Sequence, residues 1–281
     1  MTEGVKSGEN SYRIEAVDCA IDVLQAIANE QGLSMADIAR RVGGSRQRVF
    51  RMVKTLEARN LIERGRDGKS YQIGFATLLL GAAARSQFGL VQIAEPIMRE
   101  LGQALQETVQ LRIRDGNESL CVARWEPDRA IRVHSEVGQR GNFFGGSSKI
   151  FLAYMPEDEL RPFLATPIPR YTANSIGDAA TLLERLAEIR ATGFSISRGE
   201  VNDELVSISA PVFSSTQKVV AVLNLAAPAS RMPQDKAMET APQVLAAAER
   251  ISKLTRFTNL INGNEKAAGA AEGGITTGNA A

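Results

Sequence analysis

Apolar positions along the first quarter of the chain recur with the period of a helix. From Tyr12 to Ala28 they fall on Ala16, Ala20, Ile21, Val23, Leu24 and Ile27, which predicts one helix with an inner face. Ser34 is a good N-cap and Asp37 follows three residues on, so a second helix is predicted to start at Met35, with Ile38, Ala39 and Val42 inside. Gly43-Gly44 then supplies a tight turn, and Ser45 caps a third helix whose Val49, Met52, Val53 and Leu56 stand at i, i+3, i+4 and i+7. The polar run after Leu61-Ile62, ERGRDGKSYQIG, centres on Asp67-Gly68, a hairpin turn signal. Three short helices and a hairpin make a winged helix-turn-helix over residues 12–75.

Beyond Gly74 the run FATLLLGAAARSQFGLVQIAEPIMRELGQAL is rich in alanine and leucine and is broken by Gly89 and Pro96. It reads as a linker helix over residues 76–93 and then the first helix of a second domain, with Pro96 near its start. As an apolar helix with small residues the linker offers a dimer surface, or packs against its own domains.

At Thr108 the period changes to two. TVQLRIRD, SLCVARWE and AIRVHSE alternate and are separated by Asp115-Gly116-Asn117 and Pro127-Asp128, which predicts three antiparallel strands in succession. Helices are expected at Ser147 to Tyr154, Glu157 to Leu164 and Ala179 to Thr192. Strands then fall at Phe194 to Ser197, Val206 to Phe213 and Lys218 to Leu225, and a long helix from Gln234 to Leu260 closes the domain. The fold class is therefore α+β, with a central antiparallel sheet in a domain over residues 94–262. Residues 1–11 and 263–281 are expected to be disordered, the latter from its low complexity.

Charge sharpens this picture. The net charge is only +1 over 281 residues. Yet Arg40, Arg41, Arg46, Arg48, Arg51, Lys54, Arg59, Arg64, Arg66 and Lys69 face only Glu57, Glu63 and Asp67 in the same stretch. Such a local basic patch on a helix-turn-helix points to double-stranded DNA. On the third helix Gln47, Arg51 and Lys54 lie opposite the apolar stripe, flanked by Arg48 and Phe50; forked donors of this kind match guanine and adenine edges. Arg46 and the cap residues Ser34 and Ser45 suit phosphates, and Arg64, Arg66 and Lys69 in the wing suit a neighbouring backbone or minor groove.

Other classes find less support. His134 is the single histidine, which removes histidine triads and multi-histidine metal sites, and no phosphate-binding glycine loop is present, so neither an enzyme nor a bound metal or cofactor is expected. Cys19 and Cys121 belong to no metal-spaced cluster and are expected to be two unpaired, buried thiols. With no membrane-span pattern and no basic-then-apolar leader, a cytoplasmic protein is expected.

The pieces VDCAIDVLQAI, GLSMADIARRVG, RVFRMVKTLEARNLIER, YQIG, SKIFLAYMPEDEL, GFSISRGE and ISAPVFSSTQKVVAVLNLAAPASRM, in this order and spacing, resemble the isocitrate-lyase-regulator (IclR) family of bacterial transcription regulators, from about Tyr12 to Ile261. That resemblance implies a C-terminal GAF-like effector domain and dimers or tetramers on palindromic operators, as repressors or activators; a repressor is expected. Carried over position by position, it implies an effector cleft with backbone amides from Gly146 and Ser147 before Lys149, side chains from Ser197, Ser207 and Asn224, and apolar walls from Ala130, Val133 and Leu205. The expected effector is an organic acid or an aromatic catabolite. Taken singly, Ser207 and Asn224 serve equally well as ordinary sheet hydrogen-bonding groups.

The chain departs from the family pattern in places. Ser197 and Ser207 stand where relatives often carry an acid and a thiol, Asn142-Phe143-Phe144 replaces a Leu-His-Ala type stretch, and Gln47-Arg48 replaces a small Ser-Thr pair. Phe143, Phe144 and Trp125 then either widen an aromatic-accepting pocket or fill core. An alternative reading keeps the DNA binding but leaves the second domain only to oligomerise or to bind a protein partner.

Overall fold

Ser34 fixes the first turn of the reading motif by a reciprocal cap. Its hydroxyl accepts from the Asp37 amide at 3.3 Å while the Asp37 carboxylate accepts from the Ser34 amide at 3.1 Å, and helix α2, Met35–Val42, starts where the sequence places it. This local closure belongs to a computed structural model that describes residues 14–43, 45–87 and 89–272, the side chains of 84–87 and 257–272 excepted. The chain divides into two compact units between Gln87 and Phe88, inside the segment expected to link the domains.

In the first unit, α1 (Glu15–Asn29) precedes β1 (Leu33–Ser34), α2 and α3 (Arg46–Ala58); β2 (Ile62–Arg64) and β3 (Ser70–Ile73) follow, and α4 (Phe75–Gln87) ends it. The strands pair antiparallel in the order β1-β3-β2, so the wing hairpin gains the two-residue strand β1, which its sequence does not announce. Val23, Ile27, Ile38, Val49, Val53, Leu56, Ile62 and Tyr71 form the core. Two residues expected inside α1 lie outside it: Ala16 and Ile21 are exposed, and Cys19 takes the inner line with Val23 and Ile27. Ile21 stands two residues, about 200°, round the helix from Cys19, which turns it to solvent. Cys19 and Cys121 are both buried and free. Residues 1–13 lie outside the described residues, including the first positions of the expected helix and the expected disordered N-terminus.

The second unit opens with α5 (Gly89–Leu105). Pro96 lies well inside this helix rather than at its start. Val91, Ala94, Met98 and Leu101 carry one apolar stripe through the proline, and burying that stripe outweighs the lost backbone bond. The sheet then runs β4 (Thr108–Asp115), β5 (Glu118–Trp125) and β6 (Arg140–Gly141). A 3-10 turn, Gly146–Ser148, leads into α6 (Lys149–Ala153), α7 (Glu157–Leu164) and α8 (Ala179–Thr192); β7 (Ser195–Arg198), β8 (Leu205–Phe213) and β9 (Val219–Pro228) precede α9 (Gln234–Glu272). The six strands are antiparallel, in the order β6-β5-β4-β9-β8-β7.

Two expectations fail here. The segment from Ala130 to Glu136 is irregular, and the strand next to β5 is the two-residue β6. Its alternation meets no apolar layer: Ile131 is 72% exposed, and the segment is held by single bonds such as the Thr108 hydroxyl donating to the Val133 carbonyl at 2.7 Å. Further on, α9 continues to Glu272, so residues 263–272 of the expected disordered tail are helical. Ala, Glu and Lys in that stretch are strong helix formers, which carry the helix across Gly263 and Gly269. The remainder of the tail lies outside the described residues.

The two faces of the large sheet differ. Val109, Leu111, Ile208, Ala210, Leu223 and Leu225 pack with α5 and α9 in the main core. The register aligns Gln110 with Asn224, Asn224 with Ser209, and Ser207 with Ser197, so the opposite face carries a buried polar row beneath the 3-10 turn.

Candidate functional site

Two places gather polar side chains with a chemical purpose. The first is α3. Ser45 caps it by accepting from the Arg48 amide at 3.3 Å, and its buried Val49, Val53 and Leu56 fix which side faces out. Arg46, Gln47, Phe50, Arg51 and Lys54 are exposed. Arg46, Gln47, Phe50 and Arg51 share a groove with Met35 and Ala39 of α2. Among the described residues Arg46, Arg51, Arg66 and Lys69 form no ion pair, so their donors are available to an incoming polyanion.

Other basic residues are engaged. Arg48 is half-buried, paired with the Glu15 carboxylate and donating to the Glu15 carbonyl at 2.6 Å, so it ties α3 to α1. Lys54 pairs with Glu57 at 2.7 Å, and Arg64 lies 3.2 Å from the same carboxylate, donates to the Gly68 carbonyl at 2.8 Å and stacks 5.2 Å from the Tyr71 ring. Of the wing cations, Arg66 and Lys69 therefore project while Arg64 braces the hairpin. The turn itself is locked by Asp67, whose carboxylate accepts from the Ser70 amide, the Ser70 hydroxyl and the Lys69 amide; these bonds hold its pKa down to about 2. Ser34 is bound up with Asp37, whereas Ser45 lies exposed at the start of α3.

The second place is a cavity of about 640 Å³ between the polar face of the sheet and the Gly145–Ser148 turn. Of the positions carried over from the family resemblance, Val133, Gly146, Ser147, Leu205, Ser207 and Asn224 line it. Two carried-over positions do not. Ala130 is exposed on the irregular segment that replaces the expected strand, and Ser197 is buried beside Ser207 without reaching the cavity. Phe143 is core: it is fully buried and packs 5.4 Å from Phe151 and 5.5 Å from Phe163, with Phe144 against Phe163. Trp125 packs over Gly102 of α5.

The turn at Gly146 is already occupied by an internal anion. Glu200 accepts from the Gly146 amide at 3.1 Å and pairs with Lys149, which is fully buried. Burial pushes Lys149 below the ordinary lysine range against the pull of that carboxylate. The Gly146 amide, one of the two expected for an effector, is thus spent within the chain, a consequence of a contact spanning fifty-four residues.

Sequence reasoning missed Gln110 and Arg112 on the cavity floor. The signal was present: strict alternation in TVQLRIRD places both on one face, opposite Val109 and Leu111. Asn224 donates to Gln110 Oε1 at 3.4 Å and accepts from Ser209 at 3.0 Å, so it lines the cavity and also satisfies sheet neighbours. Among the described residues there is no cluster of metal-ligating side chains and no helix long and apolar enough to cross a membrane.

Residues 82–253 match the family described as bacterial transcriptional regulator IclR C-terminal, and residues 19–70 match the MarR family. The HTH-type transcriptional regulator BhcR of Paracoccus denitrificans is 30% identical over 251 residues, covering 89% of this chain and 90% of that protein. The HTH-type transcriptional repressor AllR of Klebsiella pneumoniae is 28% identical, covering 85% and 89%. Among solved structures, an IclR transcriptional regulator from Alicyclobacillus acidocaldarius aligns with a TM-score of 0.81 at 24% identity, covering 87% of this chain and all of that one. An IclR homologue from Microbacterium hydrocarbonoxydans, solved with 4-hydroxybenzoate, aligns with a TM-score of 0.77 at 24% identity, covering 86% and 99%. A helix-turn-helix unit with an exposed basic reading helix, joined to a domain of this type along its whole length, is a DNA-binding transcription regulator and not an enzyme: the chain belongs to the IclR family of bacterial transcription regulators.

Proposed function

We propose that this regulator is a cytoplasmic repressor that reads a palindromic operator with α3 of two subunits, and that a small organic acid or aromatic catabolite in the 640 Å³ cavity alters that binding. The observation that carries the DNA half is the exposed face of α3, where Gln47 and Arg51 stand free of ion pairs above a fully apolar inner stripe. Arginine donors in a fixed fork match the guanine edge, while Arg46 near the helix start suits a phosphate. Pairing of subunits is supported by α4, where Phe75, Leu78, Leu79 and Leu80 are each more than half exposed, an apolar surface a monomer rarely leaves to water. The named repressor among the relatives, and the homologue solved with 4-hydroxybenzoate, support the sign of regulation and the presence of a ligand.

The test starts by selecting operator sequences from a random duplex pool with the full-length protein. Arg51→Ala is expected to lose roughly 1–3 kcal/mol of discrimination on the selected operator while keeping most of its random-DNA affinity. Arg46→Ala is expected to weaken both DNAs alike and to flatten the salt dependence. Equal losses on both DNAs for Arg51→Ala would remove it from base reading.

A further inference from the structure

The floor of the cavity holds a buried cation without an acid. Arg112 follows a β-bulge at Leu111/Arg112 and is 6% exposed. Its Nε donates to the Ser119 hydroxyl at 3.1 Å, and its Nη2 donates to the Ser119 and Gln139 carbonyls, each at 3.1 Å. Nη1 has only Gln110 Oε1, at 3.4 Å, beyond the range of a good N–H···O bond. Every one of these acceptors is neutral. The acid among the lining residues, Glu118, pairs with Arg140 at the exposed rim, and Glu200, which holds the Gly146 amide, pairs with Lys149. A guanidinium does not shed its proton at neutral pH, so the charge stays on the cavity floor, hydrogen-bonded but without a carboxylate partner.

The neighbouring amides are turned to match. Gln110 Oε1 faces both Arg112 Nη1 and Asn224 Nδ2, each at a long 3.4 Å, an orientation that leaves Gln110 Nε2 as a donor. Asn224 Oδ1 is taken by Ser209. What the floor offers a ligand is therefore one positive charge and amide donors. At the other end of the cavity the Gly146 amide is already taken by Glu200, whose charge is matched by Lys149, so that amide is not open to a ligand.

We infer that the effector is an organic carboxylate whose acid group binds on the sheet floor, at Arg112 Nη1 and Gln110 Nε2, rather than at the Gly146 amide. The remainder of the ligand then lies against Val133, Val201 and Leu205. This rests on the reading of the cavity as the effector site. It makes Arg112 the residue that selects acids over neutral molecules of the same shape.

Calorimetric titration of the full-length protein tests it with acetate, benzoate, 4-hydroxybenzoate and phenylacetate, each beside its primary amide. At least one acid is expected to bind at least about tenfold tighter than its amide, the difference a charge-assisted bond supplies. Arg112→Met is expected to abolish that preference. Arg112→Lys keeps the charge but loses the planar fork, so it is expected to retain the preference at an acid affinity about tenfold weaker. Amides binding as well as acids to the wild type would overturn the inference, as would an unchanged acid affinity in Arg112→Met. Should Arg112→Met fail to fold, an unchanged acid affinity in Arg112→Lys overturns it equally. If neither acids nor amides bind, the effector reading of the cavity falls and takes this inference with it.

Discussion

Replacing Glu200 by glutamine keeps the shape of the side chain and removes its charge from beside a lysine that has no water to turn to. In the wild type Lys149 is fully buried, with the Glu200 carboxylate and the Gly146 carbonyl at 3.2 Å as its partners. Glu200→Gln leaves only neutral acceptors, and breaking a buried pair from one side costs about 3–5 kcal/mol. Lysine has an escape, because it can fold unprotonated. Giving up its proton at pH 7 costs about 3.4 units below an ordinary pKa of about 10.4, at about 1.36 kcal/mol each, which caps the loss near about 4.6 kcal/mol. At pH 9 the same cap falls to about 1.9 kcal/mol. The sign follows from proton counting: burial already holds the folded pKa of Lys149 below its unfolded value, and losing the upward pull of Glu200 lowers it further, so the variant sheds this proton on folding over a wider pH range and gains more stability than the wild type as pH rises. Urea unfolding followed through Trp125, the single tryptophan of the chain, reports on the unit that holds the pair. Wild type and variant are expected to differ by about 3–4.5 kcal/mol at pH 7 and by under about 2 kcal/mol at pH 9. A difference below about 1 kcal/mol at pH 7, or one that does not shrink with pH, would refute the assignment of Lys149 as a charge neutralised by Glu200.

Three other outcomes follow from single contacts. Glu15→Ala frees Arg48 from α1 and is expected to steepen the salt dependence of non-specific DNA binding by about one unit in the log–log slope; an unchanged slope would show that Arg48 does not reach the phosphates. Asp67, held from an ordinary 3.8 to about 2 by the Ser70 and Lys69 bonds, stabilises the wing above pH 3.8 and loses that contribution only as pH falls through about 2. The Lys69 and Ser70 amide resonances should titrate with that lower midpoint, and a midpoint near 3.8 would contradict the turn. Gly102→Ala places a Cβ inside the van der Waals surface of the Trp125 ring and is expected to cost about 1–3 kcal/mol in the same urea assay, with a shifted tryptophan emission; a cost under about 0.5 kcal/mol would show that the ring yields freely.

Elements closed by local chemistry were legible in the sequence. Helix α2 begins at its Ser34 cap, and α8 spans the residues expected for it because Asp178 accepts from the Thr181 amide and Gly193 adopts a left-handed φ of 79° at the other end. Patterns that need a partner surface read less well. The stretch Ala130 to Glu136 alternates like a strand, but alternation only marks two faces, and no apolar layer exists to cover Ile131. Pro96 looked like a helix start because its own chemistry disfavours a helix interior, whereas the burial of Val91, Met98 and Leu101 on both sides of it is a tertiary effect.

The same division runs through the two sites. Helical periodicity gave the direction of every side chain on α3, and for Gln47 and Arg51 direction was enough. For Arg48 it was not, because Glu15, thirty-three residues earlier, competes for the guanidinium. The cavity depends on such competition more heavily. Whether the Gly146 amide is open to a ligand is decided by Glu200, and whether Arg112 keeps an unspent charge is decided by where Glu118 and Glu200 find their partners. A resemblance between sequences transfers positions, but it does not transfer these rivalries. Here they leave the Gly146 amide on Glu200 and the Arg112 guanidinium on neutral acceptors alone.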